Sequence, residues 1–228
     1  MVVALWSAKG GAGVTVCAVG AGLATADAGV ETLLVDARGD VPAVCGVAEP
    51  AHGIWDWAAS APTSPAALGR IEVRLTDHLS LLGCGERPTT SCGEPVHPGA
   101  AAGALAQLLL SEPRQVVVDL GRLSGHSGAA EHELATKLRD GGASMLLVTR
   151  ACYLSLRLVT RLELHPDGIV VVREAGRALQ DDDLAAVIGA PVVASIDIEP
   201  AVSRSVDAGL LLQRRPRPFL RSITKAVV

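Results

Sequence analysis

The sequence predicts an α/β fold, a three-layer sandwich in which a mainly parallel sheet is covered by helices on both faces. Three observations predict it. Short apolar runs alternate with helical segments along the chain, the order that builds parallel strands with crossover helices. Apolar residues make up 49% of the chain and aromatics only 2%. Its core must therefore be built from Val, Leu, Ile and Ala, which suits helices packed closely on a parallel sheet. Finally, 228 residues, with no internal repeat and no convincing linker, suit one domain with a full core.

The elements follow in order. Val2–Trp6 reads as a strand, ended by a Gly-rich turn and followed by a small-residue helix to about Ala28 that Gly29 stops. Thr32–Val35 is a buried strand ending at Asp36, and Gly53–Ala61 a Trp-containing helix that stops before Pro62. Trp55 and Trp57, two apart, would fall on different faces of that helix, one packed and the other either filling core, the commoner fate, or exposed at a partner surface. Ile71–Leu75 and Leu79–Gly83 are short strands, a hairpin across Thr76–His78. Cys84–Gly99 carries Gly and Pro without periodicity and reads as a loop. Helix Ala100–Leu110 leads to strand Val116–Val118, ending at Asp119, and helix Glu131–Arg139 to strand Met145–Thr149. Helix Leu154–Leu164 precedes strand Ile169–Val172, and helix Asp182–Ile188, with an acidic cluster at its start, precedes Val192–Ile196. A last pair of helices fills Pro200–Val228.

Charge and cysteine usage narrow the function. The formal net charge of −4 gives no footprint for non-specific nucleic-acid binding. The cysteines number five, an odd count, and form no C-x-x-C pair, which argues against a disulfide framework or zinc site and for a reducing compartment. No signal peptide and no apolar run of membrane-spanning length is evident, so a cytoplasmic protein is expected. The six histidines lack metal-ligand spacing. Ser124, His126 and Ser127 lack the G-x-S-x-G elbow a hydrolase would need.

The most informative stretch is Ser7-Ala8-Lys9-Gly10-Gly11-Ala12-Gly13-Val14-Thr15. It follows a strand and opens a helix, the context in which a Gly-rich run becomes a phosphate cradle. Glycines turn the backbone tightly, aim N–H groups inward and place an anion on the helix N-terminus. The plain alternative is a turn that packs the helix on the sheet.

These residues resemble the deviant Walker A loop of the ParA/MinD family of P-loop ATPases, K-G-G-x-G-K-T/S. Lys9, Gly10, Gly11, Gly13 and Thr15 match, with Lys9 at the family's signature lysine. Leu33-Leu34-Val35-Asp36 resembles the family's second strand, and Val116-Val117-Val118-Asp119 its Walker B strand. Segments Val148–Arg157 and Ala190–Val202 follow in similar order, so the resemblance runs from Val2 to about Leu212. Within the family it is greatest to the TadZ/CpaE branch, which places Flp/Tad pilus machinery. That suggestion rests on Gly39-Asp40-Val41, Asp119-Leu120-Gly121-Arg122 and Ser205–Leu212.

The resemblance implies a P-loop NTPase domain over residues 1–212 and ATP or ADP with Mg²⁺ as ligand. The amides of Gly10, Gly11, Ala12, Gly13, Val14, Thr15 and Val16 would hold the phosphates. The Thr15 hydroxyl would ligate Mg²⁺, with Asp36 and Asp119 acting through waters; capping of a loop is the simpler alternative for each carboxylate. Lys9 would reach the nucleotide of a second copy across a face-to-face homodimer.

Three departures bear on chemistry. Val14 stands where a loop lysine should reach the β- and γ-phosphates, Arg38 where an Asp should position the attacking water, and Val172 where an Asn usually faces adenine. Asp40 is a displaced substitute for the missing Asp. A hydrogen bond to a charged group is worth roughly 1.5–3 kcal/mol, so losing the lysine weakens binding about ten- to a hundredfold. Losing a preorganised donor to developing charge costs on the order of 10²–10³ in rate. Binding, weak or even absent, is thus expected to outlast turnover.

Residues 213–228 form a basic tail. Arg214, Arg215, Arg217, Arg221 and Lys225 share it with Phe219, Leu220, Ile223 and Val227 at helical spacing, and it has no acidic residue. This is a short amphipathic helix, docked on the sheet in the simpler reading. In the other it meets an anionic membrane surface, like the targeting tail of MinD relatives. The function expected is a nucleotide-responsive positioning protein with little or no ATPase activity that recruits pilus or secretion machinery. The competing readings are an active partition ATPase of the ParA type and a scaffold that binds no nucleotide.

Overall fold

A computed structural model describes residues 1–60, 64–86, 99–123 and 130–227. Ser124, His126 and Ser127 and most of the Cys84–Gly99 loop lie outside these residues. The chain builds one eight-stranded sheet with β1 Val2–Ser7, β2 Thr32–Asp36, β3 Val73–Thr76, β4 Leu79–Leu82, β5 Gln115–Arg122, β6 Ser144–Arg150, β7 Gly168–Arg173 and β8 Val192–Asp197. Spatial order is β3-β4-β2-β5-β1-β6-β7-β8. All neighbouring pairs are parallel except the β3–β4 hairpin at the edge.

Strand alternation feeds two cores. Along β1, Val2, Ala4 and Trp6 face one side and Val3 and Leu5 the other; on β5, Val116 and Val118 oppose Val117 in the same way. Helices α3 Ile54–Ala59, α5 Gly99–Ser111 and α6 Ala130–Asp140 cover the first face. Across the sheet lie α1 Val14–Asp27, α2 Val41–Cys45, α10 Leu211–Arg214 and α11 Arg217–Val227. Central strands buried on both faces explain why nearly every residue in them is apolar.

Several sequence expectations are refined. The short helices α2 and α4 Pro65–Arg70 add to the expected elements; each has a proline in its first turn, where the missing N–H costs nothing. The tail region holds α9 Pro200–Asp207, α10 and α11 rather than two helices. Trp55 and Trp57 are both buried, so neither is exposed to a partner. Their indole N–H groups donate to Ala37 O (3.2 Å) and Ser64 O (2.9 Å), which removes the cost of burying them. The apolar stripe of α11 is docked: Phe219, Leu220, Ile223 and Val227 are buried on the α1 face of the sheet.

Candidate functional site: a phosphate-loop cleft

The loop between β1 and α1 sits at the C-terminal end of a central strand, where open α/β sheets present ligand crevices. Gly11 (φ 72°) and Gly13 (φ 96°) adopt left-handed backbone that L side chains resist. Gly13 is the N-cap of α1 and offers no side chain to it. The first helical bond is Cys17 N–H to Gly13 C=O, 2.9 Å, so the amides of Val14 to Val16 precede the helical ladder and point toward the loop. With no acidic residue in the first turn, the positive end of the helix dipole is left for an anion. Ser7 Oγ donates to Lys9 O (3.0 Å) and fixes the entry to the turn.

A cleft of about 350 Å³ opens over this loop, lined by Ser7, Gly10 to Val16, Arg38, Asp40, Gly121 and Arg122. Val14 is only 6% exposed and belongs to the α1-side core. Its side chain fills apolar space and brings no charge. Asp40 is exposed and precedes α2 as its N-cap, without a side-chain cap bond. Lys9 is half-buried and absent from the cleft lining. At Cys152, the N-cap of α7 Tyr153–Val159, burial opposes the thiolate, but hydrogen bonds from Ser155 and, less, the charges of Lys9 and Arg177 leave its pKa lowered.

Two carboxyls near the loop are wholly buried, Asp36 at the end of β2 and Asp119 within β5, which runs on to Arg122 rather than ending at Asp119 as the sequence suggested. Asp36 and Asp119 are register partners on β2 and β5. Asp36 is a loop cap: Oδ1 accepts from the amides of Arg38 (2.8 Å) and Gly39 (2.7 Å), Oδ2 from Val41 (3.0 Å). Burial raises its pKa and those three bonds oppose the rise. Asp119 is different. Oδ1 accepts from the Gly121 amide (2.9 Å), while the buried Oδ2 has no partner of hydrogen-bond geometry. Burial pushes this carboxyl up to about 7; the Thr15 hydroxyl and Gly121 amide oppose that, and the charges of Asp36 and Asp40 add to it. A buried acceptor without a partner, next to a hydroxyl, fits a hydrated cation. Among the described residues no group of three His, Cys, Asp or Glu could hold a metal alone, so Mg²⁺ here would need Thr15, waters and phosphate oxygens.

Two arginines line the cleft: Arg38, which stands where an Asp was expected to position water, and Arg122, which the sequence did not assign to the site. Arg38 Nη1 pairs with Glu131 Oε1 of α6 at 2.9 Å, and its aliphatic stem occupies the space a side chain at Gly121 would need. Arg122 ends β5 and is exposed. The signal for Arg122 was present as a charge just beyond Asp119, but only the sheet register brings it to the loop.

A second cleft of about 220 Å³ adjoins the loop at Ala12, Gly13, Val16 and Cys17. Val172, Ile196, Val202, Val206 and Phe219 give it apolar walls, and Arg150, Asp197 and Glu199 stand among its polar groups. Burial pushes the Cys17 thiol up to about 12, so it serves as wall rather than nucleophile.

A Gly-rich loop between a central parallel strand and its helix, with the buried carboxyls of Asp36 and Asp119 on neighbouring strands, is the arrangement of a P-loop NTPase fold. Comparison with solved structures places that fold among MinD and ParA ATPases. The MinD chain of the MinC:MinD cell division complex of Aquifex aeolicus superposes with a TM-score of 0.77 at 18% identity, over 99% of this chain and 93% of that one. The ParA family ATPase of Chlorobium tepidum TLS gives 0.75 at 18%, covering 99% and 96%. The septum site-determining protein MinD of Pyrococcus horikoshii OT3, complexed with Mg-ADP, gives 0.71 at 17%, covering 100% and 95%. No family model matches the chain, and no curated protein matches it in sequence.

Proposed function

We propose that this chain is a MinD/ParA-like positioning protein that binds Mg-ADP or Mg-ATP weakly, turns it over little or not at all, and uses the bound state to recruit a partner. The observation that carries this reading is the split character of the site. The anion cradle is intact, with left-handed Gly11 and Gly13 ahead of α1 and the unpartnered Asp119 Oδ2 beside Thr15. The groups that would drive turnover are replaced: Val14 is core, and Arg38 is tied to Glu131.

In this reading the α1 amides and helix dipole hold the phosphates, Thr15 and Asp119 hold hydrated Mg²⁺, and the apolar second cleft takes the base. Mg²⁺ would neutralise phosphate charge when bound. Asp36, with both oxygens spent on backbone amides, orients the β2–α2 loop and offers little more than an outer contact. Asp40 faces the cleft where a water could be held. Val172 in the base cleft supplies packing without an amide to read adenine, which predicts poor discrimination among bases.

The partner we favour is a component of Flp/Tad pilus or secretion machinery, on the TadZ/CpaE resemblance of Gly39-Asp40-Val41 and Ser205–Leu212. An anionic membrane would meet α11 only through exposed Arg217, Arg221 and Lys225 while its apolar face stays docked. Such contact is electrostatic and salt-sensitive. A scaffold that binds no nucleotide is the second reading, favoured by the burial of Val14. Calorimetry with Mg-ADP and Mg-ATP, together with phosphate release, tests the choice. Measurable binding with turnover near background supports the proposal. No binding at millimolar nucleotide leaves the scaffold, and brisk turnover abolished by Thr15→Ala restores an active ATPase.

A further inference from the structure

We propose that Arg122 supplies the positive charge that Val14 cannot, so that the phosphate chain of a nucleoside di- or triphosphate is held between the α1 N-terminus and an arginine carried by β5. The inference rests on the nucleotide reading above and names the residue that meets the phosphates.

Strand register delivers Arg122 to the loop. Its Cα partner across the β1–β5 ladder is Ser7, the last residue of β1. Pairing slips between Leu5 and Trp6, which face Asp119 and Gly121, so Leu120 is an extra residue. Gly121 sits at φ 59° in this irregularity. A bulge of this kind bends the strand and re-aims the residues beyond it. Here it allows Asp119 to stay under Thr15 while Arg122 extends over the loop. The Arg122 side chain lines the cleft, with its Cδ 3.9 Å from where a Cβ on Gly10 would stand.

The charge is also available. Arg38 reaches the same cleft but is neutralised by Glu131, which is almost wholly buried. Among the described residues the Arg122 guanidinium has no hydrogen-bond or ion-pair partner. A cation without a partner among the described residues, on a cleft lined by the helix-start residues and by Thr15, which itself meets the buried Asp119 carboxyl, is complementary to an Mg-polyphosphate.

Arginine brings a planar fork suited to two phosphate oxygens. Carried on an exposed strand end, it is less rigidly placed than a lysine fixed in the first helical turn. Such a group adds to ground-state affinity more than to stabilisation of a transition state, which needs donors already in position. The substitution therefore keeps a sensor while giving up an engine.

The test is calorimetric titration of the full chain with Mg-ADP, Mg-ATP and Mg-tripolyphosphate, on wild type, Arg122→Ala and Arg122→Lys, with thermal melts alongside. Because Arg122 is exposed and unpaired, both variants should melt as wild type does. Expected is a loss of about ten- to a hundredfold in affinity for all three ligands in Arg122→Ala, partly recovered in Arg122→Lys. Adenosine, which lacks phosphate, should bind wild type and Arg122→Ala equally. Wild-type affinity for Mg-ADP in Arg122→Ala, or a loss that Arg122→Lys does not recover at all, overturns the inference while the nucleotide reading stands. A wild-type protein that binds none of the three ligands overturns both.

Discussion

At the scale of single residues, Asp119 carries the sharpest expectation. Its carboxyl titrates near 3.8 when unfolded and is pushed by burial to about 7 in the fold. Between those values the folded chain holds a proton that the unfolded chain has lost. The carboxyl's contribution to stability is therefore complete below about pH 4 and is lost as pH rises toward 7. Mg²⁺ acts the other way, because it favours the ionised form. Asp119→Asn cannot ionise and should escape the loss. In metal-free buffer, urea stability of the variant relative to wild type should improve between pH 5 and pH 8. Adding Mg-ADP should stabilise wild type more at pH 8 than at pH 6 and leave the variant unmoved. A wild-type-to-variant difference that is flat across pH would mean the carboxyl is not held in its protonated form by burial.

At the scale of elements, the contact that decides the tail is α1 against α11. Gly20 of α1 has no side chain, and a Cβ there would overlap the Phe219 ring. Truncating a buried phenylalanine typically costs about 3–5 kcal/mol, and forcing a methyl into a filled core about 1–3 kcal/mol. Phe219→Ala and Gly20→Ala should therefore each destabilise the protein in urea. Combined, they should cost clearly less than their sum, because the added methyl enters the space the ring has left. Strict additivity would mean that α11 does not dock on Gly20 in solution, and would revive a tail free to enter a membrane surface. The same contact explains why the apolar stripe of this helix could be seen in the sequence but its destination could not. A stripe at helical spacing reports only that one face is to be covered.

For the whole molecule, the open question is association with a second copy. Lys9 is half-buried in the loop, with its charge felt at Cys152, and Tyr153 and Leu154 at the start of α7 are 72% and 55% exposed. Large exposed apolar side chains such as these are what a face-to-face homodimer across the phosphate loops would use. Sedimentation of wild type and Lys9→Ala, each with and without Mg-ATP, should show association that nucleotide strengthens in wild type only. A dimer of equal strength in all four samples would place the interface elsewhere.

The sequence alone determined the layered α/β fold, the sheet's parallel character, the β3–β4 hairpin (its place at the sheet edge came only from the strand order) and the position of the phosphate loop. Each is written in local terms: apolar runs of strand length, Gly29 after a helix, and a Gly-rich run between a strand and a helix. Through the family resemblance it also indicated Asp36 and Asp119 as a pair, and the β2–β5 register sets them side by side, although β5 continues past Asp119 to Arg122. It did not separate their roles. Whether a carboxylate is spent on loop amides, as in Asp36, or keeps an oxygen free, as in Asp119, depends on the path of the backbone beyond it. The burial of both Trp55 and Trp57 was hidden for a related reason: a short helix under a sheet and a neighbouring loop can be covered on more than one side. Arg38 and Arg122 lie 84 residues apart in the chain and are both well removed from the loop in sequence. The resemblance had put Arg38 at the site, but strand order β2-β5-β1 and one irregularity at Gly121 bring Arg122 to the same cleft, Arg38 neutralised and Arg122 without a partner among the described residues. Local pattern determines what an element is. Which charges meet at its end is decided by register and packing, which no single segment contains.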